Sequence, residues 1–190
     1  MGELVAVYDL GGGTFDTTIL RARPDGMEIV GTPEGIERLG GMDFDQALFA
    51  DVDDALDDAL GGALGGALGA LSPADPAEAA VLAAVRRDCV RAKQTLSTQP
   101  ETTLRVPLPA GTREIVVTRP TFEQLIRPTL NLTTQALQRT LTSAGLGPDD
   151  LAAVLLAGGS SRIPRSTGSP RVLSSSRGVT GLSCRVAGAE

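Results

Sequence analysis

Apolar residues crowd the start of the chain in short blocks separated by glycine. Leu4 to Tyr8 is one block, ended by Asp9 and, after Leu10, by three glycines; it predicts a buried strand entering a tight turn. Thr14 to Arg21, rich in Thr, Phe and Ile, predicts a second strand returning beside the first across a glycine hairpin. After the Pro24-Asp25-Gly26 turn, Met27 to Val30 predicts a third strand, so an antiparallel meander opens the chain. From Asp43 the period lengthens. Phe44, Ala47, Leu48, Val52, Ala55, Leu56 and Leu60 recur at three- and four-residue spacings, as on an amphipathic helix with Asp43 and Asp45 at its acid-favouring end. The stretch 61–71 keeps its leucines but holds five glycines, each opposing a helix by about 1 kcal/mol. Residues 61–74 are therefore expected to form a frayed helix end and loop, with a low-complexity linker preferred over a helix-packing motif. Further helices are expected at about Asp75–Leu96 and Arg119–Ala144, with a hairpin of 103–107 and 113–118 around Ala110-Gly111 between them. Leu151 to Ala157 predicts a fully buried strand running into Gly158-Gly159.

Composition narrows the chemistry. The 190 residues suffice for one ordinary domain or two small lobes. With no histidine, Ser-His-Asp and Cys-His catalysis and histidine-containing zinc or haem sites are excluded. Cys89 and Cys184 lie far apart, which offers neither a disulfide framework nor a CxxC metal site. A net charge of −6 argues against nucleic acid or an anionic membrane as partner. The start has no basic segment of a signal peptide, and no apolar run approaches the ~20 residues of a membrane span, so a cytoplasmic protein is expected. Residues 165–190 change character, with six serines, four glycines and four arginines against one acid. A disordered extension is expected there, and a basic tail for an acidic partner is the alternative.

Two glycine clusters stand directly after apolar strands: Asp9-Leu-Gly-Gly-Gly-Thr-Phe-Asp16 and Ala157-Gly-Gly-Ser-Ser-Arg-Ile-Pro164. Without side chains in the way, successive backbone N–H groups can cradle a phosphate. Neither cluster is a Walker A loop, and neither has the GxGxxG pattern of a dinucleotide site. Asp9 and Asp16 are suited to hold Mg²⁺ through water, and Thr14 adds a hydroxyl. The plainer alternative is an ordinary hairpin whose Asp9 and Thr14 bond the turn backbone. Leu39-Gly-Gly-Met-Asp-Phe-Asp45 again puts glycines at a helix start, favourable to an anion or serving only as a cap. Lys93 and Ser97, four residues apart, share a helix face, which is either part of a site or a solvated stripe.

Taken together, DLGGGTFD, LGGMDFD, the helix containing CVRAKQTLS, and LLAGGSSRIP occur in an order and at separations that identify a resemblance. Over about residues 3–164 the chain resembles the second lobe of the ATPase domain of the seventy-kilodalton heat-shock (DnaK-type) chaperones, within the actin and sugar-kinase superfamily. That resemblance implies an α/β fold: an actin-like, ribonuclease H-like lobe over 1–164, with a three-stranded meander, helices and a smaller helix/hairpin subdomain at about 46–120. It implies ATP or ADP with Mg²⁺ as ligand, and unfolded client proteins and co-chaperones as partners.

Position by position, the resemblance implies that Asp9 holds hydrated Mg²⁺ and Asp16 orders its water shell. Gly11, Gly12, Gly13 and Thr14 would line the β- and γ-phosphates, with Gly40 and Gly41 near them. Lys93 and Ser97 would face the adenosine. Gly158, Gly159, Ser160 and Arg162 would form the opposite wall, with the Arg162 guanidinium stacked on the base. Met42 and Val90 stand where the family usually has acids, and Gln94 where it has arginine, which weakens the expected clamp on ribose and base. The family's first lobe is absent, and the tail replaces its closing helix and strand; a truncated or frame-disrupted gene is the expected cause. Half a cleft implies negligible ATP hydrolysis by this chain alone. A non-catalytic nucleotide-binding or partner-docking fragment, and half of a sugar- or acetate-kinase-like ATPase, are the other readings.

Overall fold

The computed structural model describes residues 2–62, 66–108 and 111–163, which form two compact units. One contains 2–42 with 127–163, the other 43–126. The expectations for 165–190 lie outside the described residues. Among the described residues no helix is long and apolar enough to cross a membrane.

In the first unit the glycine-bounded blocks become strands β1 (Leu4–Leu10), β2 (Thr14–Arg23) and β3 (Gly26–Glu37). They pair antiparallel as the meander, and β6 (Ala153–Ala157) lies parallel to β1 on its free side, giving the order β3-β2-β1-β6. Ala6, Tyr8 and Leu10 of β1 alternate onto a buried face with Phe15, Thr17 and Ile19 of β2. Helix α3 (Arg119–Ser143) adds buried Thr133, Ala136, Leu137, Thr140 and Leu141 from its part beyond residue 126. Tyr8 meets Phe15 edge to face at 4.7 Å, and its hydroxyl lies 2.5 Å from the Thr133 hydroxyl. A polar tip with a partner can be buried at little cost, which lets a tyrosine sit in this core.

Two expectations need correction here. The third strand runs to Glu37, well past Val30, although Gly31, Pro33 and Gly35 read locally as breakers. It is an edge strand, where proline removes no needed hydrogen bond, and the bulge between Thr17 and Ile19 takes up its extra residues. The last strand is also not fully buried: Leu155 is 41% exposed. β6 is the other edge of the sheet, so an apolar run alone does not settle burial on both faces.

The second unit combines most of α1 (Gly41–Ala59), helix α2 (Pro76–Leu96), the hairpin β4 (Glu101–Leu108) with β5 (Gly111–Thr118), and the first turns of α3. Phe44, Leu48, Val52 and Leu56 form the buried stripe of α1; Leu82, Val85, Cys89, Ala92 and Leu96 form that of α2. Asp75 caps α2 by accepting from the amides of Ala77 and Glu78. The glycine-rich stretch is more than a linker. Ala67 and Leu68 are buried, and the Leu68 amide donates to Asp53 Oδ1 at 2.6 Å, so an α1 carboxylate ties this loop down. Periodicity cannot show such a contact, because it depends on a partner 15 residues away.

Candidate functional site

The two glycine clusters meet in the first unit. The β1–β2 hairpin is closed by the Gly11 amide donating to the Thr14 carbonyl at 2.9 Å. Asp9 pairs with Ala157 across the sheet, so the Gly158 corner emerges beside the hairpin. The Ser160 hydroxyl then donates to the Gly11 carbonyl at 2.9 Å, linking positions 149 residues apart. Gly158, at φ 79° and ψ 150°, occupies backbone space that is essentially glycine's own. Gly159 and Ser160 begin a short 3-10 turn ending at Arg162, whose side chain and expected base stacking lie outside the described residues.

The start of α1 is welded to the same hairpin. The amides of Leu39, Gly41 and Met42 donate to the carbonyls of Gly13, Gly11 and Gly12 at 3.0, 3.0 and 2.7 Å. Helix α1 consequently begins at Gly41, ahead of the expected Asp43, because hairpin carbonyls satisfy amides that a helix start normally leaves open. This corrects the expectation of a simple anion-binding helix start: two of its first amides are already engaged. Gly40 makes the approach possible. A methyl added there would lie 2.7 Å from the Gly13 nitrogen and 2.8 Å from the Gly11 oxygen.

The hairpin tip retains its own donors. Among the described residues the amides of Gly12 and Gly13 have no hydrogen-bond partner. Nothing lies within 4 Å of the position a Gly12 methyl would take, whereas the Met42 side chain reaches over Gly13. Free amides at an open glycine corner are what an anion cradle needs.

Beside this corner Asp9 and Asp16 are directly opposed in the β1–β2 register. Like charges facing each other across strands repel. They border a groove of about 370 Å³ lined also by Val7, Thr17, Thr18, Pro33, Gly35 and Glu34, whose carboxylate is paired with Arg139. Among the described residues no three His, Cys, Asp or Glu gather closely enough to hold a metal ion. Two carboxylates without a third ligand suit a Mg²⁺ ion that keeps most of its water, not a dry protein cage.

Lys93 and Ser97 belong to the second unit. Lys93 Nζ lies 2.8 Å from Asp45 Oδ2, so this part of the face is a paired ion and not a solvated stripe. The Ser97 hydroxyl donates to the Lys93 carbonyl at 3.2 Å. Sequence reasoning missed Asp45 as a partner, having read it as a helix-start acid; its only signal was its place in LGGMDFD.

Nearby, burial pushes the Cys89 thiol from 9.0 up to about 12, with the charges of Asp45 and then Asp88 acting in the same direction. The folded state thus favours the protonated thiol. That preference is fully retained below pH 9 and lost as pH climbs from 9 towards 12. In a Cys184→Ser background, a thiol reagent at about pH 8 should label Cys89 only as fast as the protein unfolds. Stability should fall over the alkaline range more steeply than in a Cys89→Ser control; prompt labelling in native buffer would contradict the burial.

Comparison with known proteins decides the family. The family model described as Hsp70 protein matches residues 1–169. This chain belongs to the Hsp70 family. A "Chaperone protein HscA homolog" of Methylibium petroleiphilum is 40% identical over 162 residues, covering 85% of this chain and 24% of that protein. A "Chaperone protein DnaK" of Thermotoga petrophila is 34% identical over 169 residues, covering 85% of this chain and 26% of that protein. An HscA homolog of Bordetella pertussis is 36% identical over 162 residues. The chain therefore spans about a quarter of the length of the curated relatives it matches. Its mixed sheet with helices is the α/β, actin-like architecture of the Hsp70 ATPase domain, as expected from the four motifs. The family match selects the chaperone reading over half of a sugar or acetate kinase.

Proposed function

We propose that this Hsp70-family chain binds ATP or ADP with Mg²⁺, as part of a chaperone that couples nucleotide state to the binding of unfolded client proteins and co-chaperones in the cytoplasm. The observation that carries the reading is the joined pair of glycine corners: Ser160 tied to Gly11, with the free Gly12 and Gly13 amides beside the opposed Asp9 and Asp16. In this reading Gly11, Gly12, Gly13 and Thr14 take the β- and γ-phosphates, with Gly40 and Gly41 supporting them. Asp9 and Asp16 hold the hydrated Mg²⁺, which when bound neutralises phosphate charge. Lys93 and Ser97 are assigned to the adenosine, and so are Gly158, Gly159, Ser160 and Arg162.

Calorimetric titration of the chain with ADP and ATP, with and without Mg²⁺, tests this. Mg²⁺ should strengthen binding by the parent chain, and Asp9→Asn should reduce that Mg²⁺-dependent gain by about tenfold or more, since hydrogen bonds and ion contacts through a carboxylate are charge-assisted. Metal-free affinity should change little or improve, because one repelling charge has gone. Identical Mg²⁺ dependence in parent and variant would defeat the assignment.

A further inference from the structure

Met42 is the second residue of α1, outside the buried stripe of Phe44, Leu48, Val52 and Leu56, and it is 66% exposed. An apolar side chain so placed adds little to a core. It is nonetheless held at the β1–β2 turn in two ways. Its amide donates to the Gly12 carbonyl at 2.7 Å, and its Cε lies 2.7 Å from the point that a Gly13 methyl would occupy. The thioether therefore ends beside the turn whose Gly12 and Gly13 amides have no hydrogen-bond partner among the described residues.

A thioether is only a weak acceptor, so the reduced side chain leaves those amides to water or to a ligand. Its sulfoxide is polar, with an oxygen that accepts hydrogen bonds. Hydrogen peroxide makes that change in one balanced step. The sulfur lone pair attacks one peroxide oxygen and the O–O bond breaks. The departing hydroxide then takes the proton of the transferred hydroxyl and leaves as water; sulfur is oxidised by two electrons and peroxide reduced by two. The new oxygen sits on the atom next to Cε, and nothing lies within 4 Å of the Gly12 methyl position, so there is room for it at the turn. Because the Met42 backbone is already tied to Gly12, little further ordering is needed for the oxygen to meet the amides.

We propose that Met42 is a peroxide-sensitive modification site: its sulfoxide oxygen accepts hydrogen bonds from the Gly12 and Gly13 amides and shuts the phosphates out of the turn. This rests on the placement of the phosphates at Gly12 and Gly13 made above. Reduced Met42 leaves the turn open, and oxidised Met42 becomes its internal ligand.

The test uses the full chain with Met27→Leu, because Met27 is 61% exposed and would also react. Mg-ADP is titrated before hydrogen peroxide, after it, and after reduction by two methionine sulfoxide reductases, one for each sulfoxide epimer. Oxidation should weaken Mg-ADP about tenfold, as two competing hydrogen bonds would, and reduction should restore the affinity. In the Met27→Leu/Met42→Leu chain peroxide should leave the affinity where it was. Amide NMR supplies a readout independent of nucleotide: the Gly12 and Gly13 resonances should move on oxidation, and should stay in place when Met42 is leucine. Met42 that mass spectrometry shows to resist peroxide overturns the inference, as does unchanged affinity once it is oxidised. So does an equal loss in the Met42→Leu chain, which marks damage elsewhere. Weakened binding with the Gly12 and Gly13 resonances unmoved, or with shifts spread through both units, also overturns it. If the reduced chain does not bind Mg-ADP at all, the nucleotide reading itself fails and takes this inference with it.

Discussion

Replacing Gly158 by alanine is expected to lower stability by about 3–5 kcal/mol, enough to leave a large fraction of a marginally stable chain unfolded at ambient temperature. Two independent penalties act at this residue. Its backbone conformation, φ 79° and ψ 150°, is one that L side chains rarely adopt. Its added methyl would also stand 2.3 Å from the Leu10 carbonyl oxygen and 2.6 Å from Asp9 Oδ1. The first neighbour is backbone of a central strand, which cannot yield without parting β1 from β6. Urea denaturation followed by circular dichroism measures the loss. The neighbouring Gly159→Ala is the control, since nothing lies within 4 Å of its added methyl. Equal stability of the two variants would mean that the Gly158 corner does not press against the hairpin.

The second large effect separates folding from ligand binding at the hairpin. Gly40→Ala should cost about 2–4 kcal/mol, because its methyl meets the backbone of Gly11, Gly12 and Gly13 at 2.7–2.8 Å and forces the hairpin away from the start of α1. The hydrogen bonds from Leu39, Gly41 and Met42 to the hairpin would lengthen together, and nucleotide binding should be lost with them. Gly12→Ala is the opposite case. Its methyl projects into open space, so stability should change by less than about 1 kcal/mol. It would nonetheless cover the free amides where the phosphates are proposed to sit, and Mg-ADP affinity should fall by about tenfold or more. Denaturation and calorimetry on the same two proteins check both halves. If Gly12→Ala binds Mg-ADP like the parent, the free amides are not the phosphate cradle.

Much of this arrangement could be read from the chain without coordinates. The meander was legible because each strand is a short apolar block bounded by turn residues, and α1 and α2 because their buried leucines and alanines recur with a helical period. The candidate phosphate corner was legible because glycine triplets and doublets after strands are rare and carry a steric reason. Extent and surroundings were less accessible. Gly31, Pro33 and Gly35 look like a loop in isolation yet lie inside β3, and Leu68 looks like low-complexity filler yet is buried under the hold of Asp53.

Local sequence thus settled which backbone conformations each segment favours and which glycines are free to turn, since these depend on a residue and its close neighbours. The union of Ser160 with Gly11, the capping of α1 by carbonyls of the β1–β2 turn, and the grip of Asp45 on Lys93 were decided only when distant segments packed. Each is a hydrogen bond or ion pair of a few ångströms whose strength vanishes unless the whole fold supplies the second partner, and no spacing along the chain encodes that distance.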